Sequence, residues 1–214
     1  SHVKTLQIGK QINNNELITQ ALLGNGFDYM LVKNYPEALK NQREALEIFT
    51  AIKDSVGIGN VYYDIGVTHI WSGNLDEALV NHTKGLQIRK KLTNYGDIAN
   101  SYNFISNIYR KQDKYTEALS SSLESVKYAE LYGESSYIIN SYTAVGDIAV
   151  KMAAYEKAND YYNKGLLVSR KIKNPKFEAQ SLKGIAEIYL LQNKTNKGIE
   201  LLNEAATIVP TEDF

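Results

Sequence analysis

Apolar and polar residues alternate along this chain with the spacing of amphipathic helices. Between residues 98 and 111 the apolar side chains recur every three or four positions, on one face of a helix: Tyr102, Ile105, Ile108 and Tyr109. A polar turn at 112–114 separates this helix from a second, which runs from Tyr115 to about Tyr132 and ends before Gly133. The pattern therefore predicts two consecutive helices joined by a short turn, as in an antiparallel pair.

This two-helix pattern returns every 40 residues without slippage. A small residue near the start of the second helix marks each repeat: Ala38, Ala78, Ala118, Ala158 and Gly198. Another small residue precedes each of these by 12 positions: Gly26, Gly66, Ser106, Gly146 and Ala186. Small residues at fixed points let two helix backbones approach closely, while bulky residues of the facing helix fill the space beside them. The repeat predicts an all-α fold of stacked helix pairs.

Five complete units and one partial unit account for the chain. The complete units are predicted at 17–54, 57–94, 97–134, 137–174 and 177–210, within a single repeat domain that covers 1–214. Residues 1–13 carry the apolar pattern of a second helix without its partner, so we expect a half-unit with an exposed apolar face. Pro210 is expected to end the last helix, followed by a short tail at 211–214.

The positions of small and aromatic residues within the unit resemble those of the tetratricopeptide repeat (TPR). The resemblance covers residues 1–210. The usual repeat has about 34 residues; the longer period is similar to that of kinesin light chain, LGN/Pins-type adaptors, Rap-type regulators and arrays associated with bacterial sensors. This family implies a right-handed superhelix of about 11 helices. It further implies a non-catalytic module that binds a protein or peptide in a concave groove, as the sensing or scaffolding part of a longer signalling protein.

In this family one stripe of the first helix of each pair faces the groove. Carrying that stripe over residue by residue gives these candidates: Asn60, Tyr63, Trp71, Asn100, Asn103, Asn107, Arg110, Lys111, Asn140, Asp147, Lys151 and Lys183. Asn103 and Asn107, four residues apart, are candidates for a clamp on a peptide backbone, because an amide both donates and accepts hydrogen bonds. The basic candidates outnumber the acidic ones, which favours a ligand with a carboxylate or an acidic segment.

Several of these residues also have structural interpretations. An amide recurs at one position of every first helix, at Gln20, Asn60, Asn100, Asn140 and Gln180, where it could instead cap that helix or bond to the preceding one. Trp71 lies near a helix end and could pack rather than anchor a ligand. The basic run 89–91 is predicted to be a solvated face that suits the helix dipole.

Composition removes most chemical alternatives. The chain has no cysteine and equal numbers of acidic and basic residues, so we expect no disulfide, no thiolate metal site and no nucleic-acid partner. His69 and His82 are expected to pack between helices, because two histidines without a third ligand make a poor metal site. Asp64 and His69 lack an accompanying nucleophile. We therefore expect no catalytic residues, no metal and no cofactor.

No apolar run is long enough for membrane insertion. The compartment stays open between the cytoplasm and an extracytoplasmic sensor location. A second function is compatible with the sequence: self-association as a homodimer through the N-terminal face, with the array acting as a spacer.

Overall fold

The computed structural model describes residues 2–209, and within them the chain is all-α, with eleven helices. The predicted end at Pro210 and the tail at 211–214 lie outside the described residues. The helices are α1 (His2–Gln11), α2 (Asn15–Leu31), α3 (Tyr35–Ala51), α4 (Ser55–Trp71), α5 (Leu75–Lys91), α6 (Tyr95–Lys111), α7 (Tyr115–Tyr132), α8 (Ser135–Lys151), α9 (Tyr155–Lys171), α10 (Pro175–Leu191) and α11 (Thr195–Ile208).

From α2 onward a helix begins every 20 residues, which explains the 40-residue period of the pairs. We call the first helix of a pair the A helix (α2, α4, α6, α8, α10) and the second the B helix. The A helices begin ahead of the apolar stripe that predicted them; α6 begins at Tyr95 rather than Ile98. The first turn is instead fixed by a capping side chain, since Asn94 Oδ1 accepts from the Asp97 N–H at 3.4 Å.

Each of the ten connections between described helices contains one residue in the left-handed region of backbone space. Glycine supplies this conformation only at Gly73 and Gly133, both with φ near +80°. The other connections use residues with a side chain: Asn13, Lys33, Lys53, Thr93, Asp113, Ala153, Lys173 and Asn193. These eight positions carry the steric cost of a Cβ in the left-handed region.

We expect Ala153→Gly to raise the free energy of unfolding by about 0.5–1 kcal/mol, because it removes that steric cost but adds flexibility to the unfolded chain. Gly73→Ala should lower the free energy by about 1 kcal/mol. No atom lies within 4 Å of a Cβ built at Gly73, so the loss would come from the backbone alone. Urea unfolding followed by circular dichroism measures both; equal signs for the two substitutions would contradict the argument.

The helices form two compact units, one ending at Asp97 and the other beginning at Ile98. In the first unit consecutive helices pack from α1 to α5, with a buried core of Ile18, Leu22, Ala45, Val61 and Ile65. In the second unit consecutive helices pack from α7 to α11. Its core is largest around α8 to α10 and includes Ala149, Leu166, Leu182, Ile185 and Ile188.

Within a pair, the small residue of the A helix receives a larger side chain from the B helix. In the first unit a Cβ at Gly66 would lie 2.7 Å from the His82 ring, and one at Gly26 would lie 3.2 Å from Gln42 Cγ. The B-helix side chain therefore occupies the space where a larger A-helix residue would stand.

The second unit repeats this arrangement with an aromatic ring. Tyr162 on α9 is 2% exposed, and a Cβ at either Gly146 or Gly184 would lie 2.6 Å from its ring. The Tyr162 ring is thus held between the A helices α8 and α10. At the last pair the anchor glycine, Gly198, makes room for Leu190, whose Cδ2 would lie 2.6 Å from a Cβ there.

Candidate binding surfaces

In the second unit, polar and basic side chains project from the A helices α6, α8 and α10. We call these the second-unit face: Asn107, Arg110, Lys111, Asp147, Lys151 and Lys183. Lys111, Lys151 and Lys183 are exposed, while Asn107 and Arg110 are half-buried. The Arg110 Nη2 donates to Asn107 Oδ1 at 2.8 Å, one helical turn apart, which holds the guanidinium against its own helix.

The other amide of the proposed clamp is placed differently. Asn103 is half-buried, and its Nδ2 donates to Ser141 Oγ on α8 at 3.4 Å. Ser141 Oγ also shares a hydrogen bond with Ser125 Oγ at 2.7 Å. The Asn103 Oδ1 is enclosed without a hydrogen-bond donor. Asn103 therefore joins two A helices, and only Asn107 keeps its amide beside a basic group of the face.

A buried residue of α9 holds Asp147 of the second-unit face by a hydrogen bond. The buried Tyr162 donates its hydroxyl to Asp147 Oδ1 at 2.7 Å. Desolvation by the surrounding protein raises the pKa of Asp147, although the Tyr162 hydrogen bond and the charge of Arg110 oppose that shift. Glu187 adds a second acidic group near Asp147. The second-unit face thus combines the held Asp147 carboxylate with basic side chains.

The recurring amides do not cap the A helices. In α2, α4, α6 and α10 that role belongs to a residue just before the helix: Asn14, Asp54, Asn94 and Asn174. Asn60 is exposed, and its Oδ1 accepts from Arg89 Nη2 at 3.3 Å, on the B helix that follows rather than the one that precedes. The capping interpretation is wrong for these helices. Asn140 is exposed and Asn100 is half-buried.

Arg89 corrects the prediction of a solvated basic run at 89–91. It is only 5% exposed, and its guanidinium lies 5.1 Å from the centre of the Tyr63 ring. The buried residues of α5 follow one face at helical spacing: Ala78, His82, Gly85 and Arg89. That spacing is visible in the sequence and could have identified Arg89 as an inward-facing residue.

The first unit contains a cavity of about 250 Å³ with a mixed apolar and polar lining, which we call the Asp64 cavity. Its lining comes from α2, α3 and α4: Leu23, Phe27, Met30, Gln42, Tyr63, Asp64 and Val67. Burial raises the pKa of Asp64 to about 6, against an opposing effect of the Arg89 charge. Sequence reasoning considered Asp64 only as a partner of His69 and missed this cavity.

Trp71 and Leu31 occupy the same position at the ends of α4 and α2, and each is 53% exposed. Both side chains therefore present apolar surface to solvent in the first unit. Phe27, at the rim of the Asp64 cavity, is 55% exposed. Of the twelve predicted groove residues, Asn60, Tyr63 and Trp71 lie in this unit and the other nine in the second.

Both histidines of interest pack between helices, as predicted. His69 is 7% and His82 is 1% exposed, and the His82 ring meets the Tyr63 ring edge-on at 5.6 Å. Burial and the Arg89 charge lower the pKa of His82 to about 3, so the ring is neutral near pH 7. Among the described residues, no group of three or more potential ligands is placed to hold a metal ion. Nor is any described helix long and apolar enough to cross a membrane.

These features define the class of a helix-pair repeat protein. The chain belongs to the tetratricopeptide repeat family, whose pattern it matches over residues 17–91 and 97–171. This confirms the family that the sequence resembles. No curated protein matches the chain significantly.

Solved structures share the fold at low sequence identity. BtubC (BKLC) from P. vanneervenii is similar with a TM-score of 0.79 and 13% identity, over 97% of this chain and 86% of that one. A Signal Transduction ATPase with Numerous Domains from Pyrococcus horikoshii, which has a tetratricopeptide repeat sensor, is similar with a TM-score of 0.79 and 20% identity, over 94% of this chain and 31% of that one. A Rap protein complexed with Competence and Sporulation Factor is similar with a TM-score of 0.72 and 16% identity, over 90% of this chain and 54% of that one. The chain thus spans about a third and about half of the last two proteins.

Proposed function

We propose that this protein is a non-catalytic module that binds an extended segment of a protein or peptide through the second-unit face, as the sensing or scaffolding part of a signalling protein. The observation that carries the proposal is the concentration of basic side chains on α6, α8 and α10, with the Asn107 amide beside Arg110. Repeat proteins commonly bind partners along surfaces of this kind. The similar structures of a protein with a tetratricopeptide repeat sensor and of a Rap protein complexed with a factor support it further.

The charge balance of the face favours a carboxylate. Arg110, Lys111, Lys151 and Lys183 supply four positive charges, against two negative charges from Asp147 and Glu187. Arg110 is preoriented by its bond to Asn107, which reduces the conformational entropy that a bound carboxylate would otherwise cost. A planar guanidinium can hold a carboxylate through two parallel hydrogen bonds. We infer that an acidic side chain or a chain terminus of the segment binds near Arg110 and Lys151.

A random peptide display library is the appropriate probe, because it commits to no ligand sequence. We expect the selected peptides to be enriched in Asp and Glu and to bind the double variant Arg110→Gln, Lys151→Gln at least about tenfold more weakly. A tenfold loss corresponds to about 1.4 kcal/mol, just below the roughly 1.5–3 kcal/mol that one hydrogen bond to a charged group contributes. Isothermal titration calorimetry of synthetic copies of the selected peptides measures it.

Lys114→Gln with Lys157→Gln is the matched control, because it removes the same charge from exposed sites of the second unit that lie outside the A helices. This control should change the affinity less than twofold, and thermal melts should show both double variants folded. Failure to select any peptide, or equal losses in the two double variants, would overturn the proposal.

Self-association is a second candidate function, favoured by the apolar surface of α1. Val3 and Ile8 on α1 are 65% and 51% exposed, and Ile12, directly after the helix, is 59% exposed. The helix packs against α2. A protein dimerising through this surface would show a concentration-dependent mass in sedimentation, whereas a peptide-binding monomer would not.

A further inference from the structure

The Asp64 cavity holds an ionisable group that the proposed peptide surface does not use. Leu23, Phe27 and Met30 on α2 and Val67 on α4 make its walls apolar, and Asp64 contributes a carboxyl among them. The volume is ample for a side chain, since an apolar cavity of about 150 Å³ can hold a benzene molecule.

The polar neighbours of Asp64 are committed elsewhere. Gln42 Nε2 donates to Thr68 Oγ1 at 2.8 Å and to the backbone oxygen of Asp64, not to its carboxylate. Arg89 donates to Asn60 and lies over the Tyr63 ring, outside the cavity lining. No hydrogen bond from another described residue reaches the Asp64 carboxylate, so a cation that enters the cavity would meet an acceptor that no protein donor occupies.

From this geometry we propose that the Asp64 cavity binds the side chain of a lysine, with its four-carbon stem against the apolar walls and its ammonium group donating to the Asp64 carboxylate. A lysine fits because it joins a flexible aliphatic stem to a compact cation with three donors. Arginine fits less well, because one carboxylate accepts only two of its five N–H donors and the other three would need acceptors elsewhere in the cavity. The positive charge of Arg89 acts on the Asp64 carboxylate and weakens its attraction for a second cation.

This inference concerns the first unit and goes beyond the proposed function, which concerns the second. The second-unit face could fail to bind acidic peptides while the Asp64 cavity still binds a lysine. Equally, the cavity could fail to bind a lysine while the second-unit face binds acidic peptides. The two tests use different probes and different variants, so their failures are distinguishable.

The test uses n-butylamine, which is a lysine side chain without its backbone, and 1-butanol, its neutral counterpart of equal length. Each is titrated into the methyl-labelled protein at pH 7.5 and matched ionic strength, followed by the methyl resonances of Leu23 and Val67. We expect the ammonium to bind at least fivefold more tightly than the alcohol. Asp64→Asn should bring the two dissociation constants within twofold, while Glu47→Gln, an exposed carboxylate on α3, should leave the difference intact.

Two further arms keep the outcome decisive. At pH 5 the ammonium should lose most of its advantage, because the Asp64 carboxyl, with its pKa near 6, then carries a proton. Nα-acetyl-lysine methylamide, whose side-chain ammonium is free, should bind at least as tightly as n-butylamine. If it fails to bind, the site takes only a small amine and the assignment to lysine is wrong. Equal binding of amine and alcohol, an unaltered preference in Asp64→Asn, or no shift of Leu23 and Val67 overturns the proposal.

Discussion

Tyr162→Ala is expected to lower the free energy of unfolding of the second unit by about 3–5 kcal/mol, the range for truncating a fully buried aromatic residue. The ring is 2% exposed and fills the space between Gly146 on α8 and Gly184 on α10. The substitution also removes the hydroxyl that donates to Asp147. Urea unfolding followed by circular dichroism and by intrinsic fluorescence measures the loss.

A second substitution tests whether the ring itself is responsible. In the native background Gly146→Ala should destabilise by about 1–3 kcal/mol, because its Cβ would overlap a ring already bounded by Gly184. In the Tyr162→Ala background the same change should stabilise by about 0.5–1 kcal/mol, because alanine favours a helix interior and the obstacle is gone. The sign should therefore reverse. A destabilisation of equal size in both backgrounds would show that Tyr162 does not control the packing.

This packing connects the core of the second unit to its binding surface. Tyr162 belongs to a B helix, yet its ring sets the separation of two A helices and its hydroxyl holds a carboxylate of the second-unit face. Tyr162→Phe keeps the ring and releases Asp147, so it separates the packing role from the electrostatic one.

The sequence predicts much of the packing because complementary residues recur within the chain itself. Where the A helix has glycine, the paired B helix carries a large residue 16 positions later, as in Gly66 with His82 and Gly146 with Tyr162. Where the A helix has Ser106, the partner is the small Ser122, which is fully buried. The period and the small residues therefore indicate the fold directly.

The polar residues were harder to assign because their roles depend on side-chain direction. Asn103 and Asn107 lie one turn apart on the same stripe, but the first bonds across to Ser141 and the second to Arg110. Helical spacing gives the face of a residue and not the partner that its amide reaches. The wrong prediction for Arg89 has the same cause. A run of three basic residues indicates a solvated surface unless the helical position of each residue on α5 is followed.

The free energy of unfolding is expected to depend on pH through Asp64. Burial raises the pKa of Asp64 to about 6, above its ordinary 3.8, so its contribution to stability is greatest at acid pH and is lost as pH rises through 6. Asp64→Asn removes this loss, since asparagine is neutral and similar in shape. We expect the variant to be more stable than the native protein at pH 7.5 by about 1–3 kcal/mol, and the difference to vanish near pH 4.

His82 makes the comparison sharper, because its pKa of about 3 acts in the opposite direction. The neutral ring stabilises the fold above pH 6.5, and this contribution is lost as pH falls towards 3. Between pH 6 and pH 4 the two groups offset each other in the native protein, whereas Asp64→Asn leaves His82 unopposed. The variant should therefore lose stability on acidification more steeply than the native protein, in thermal melts taken at half-unit steps of pH. Glu47→Gln, which alters an exposed carboxylate, should follow the native curve; parallel curves for all three proteins would show that Asp64 is not a buried charge.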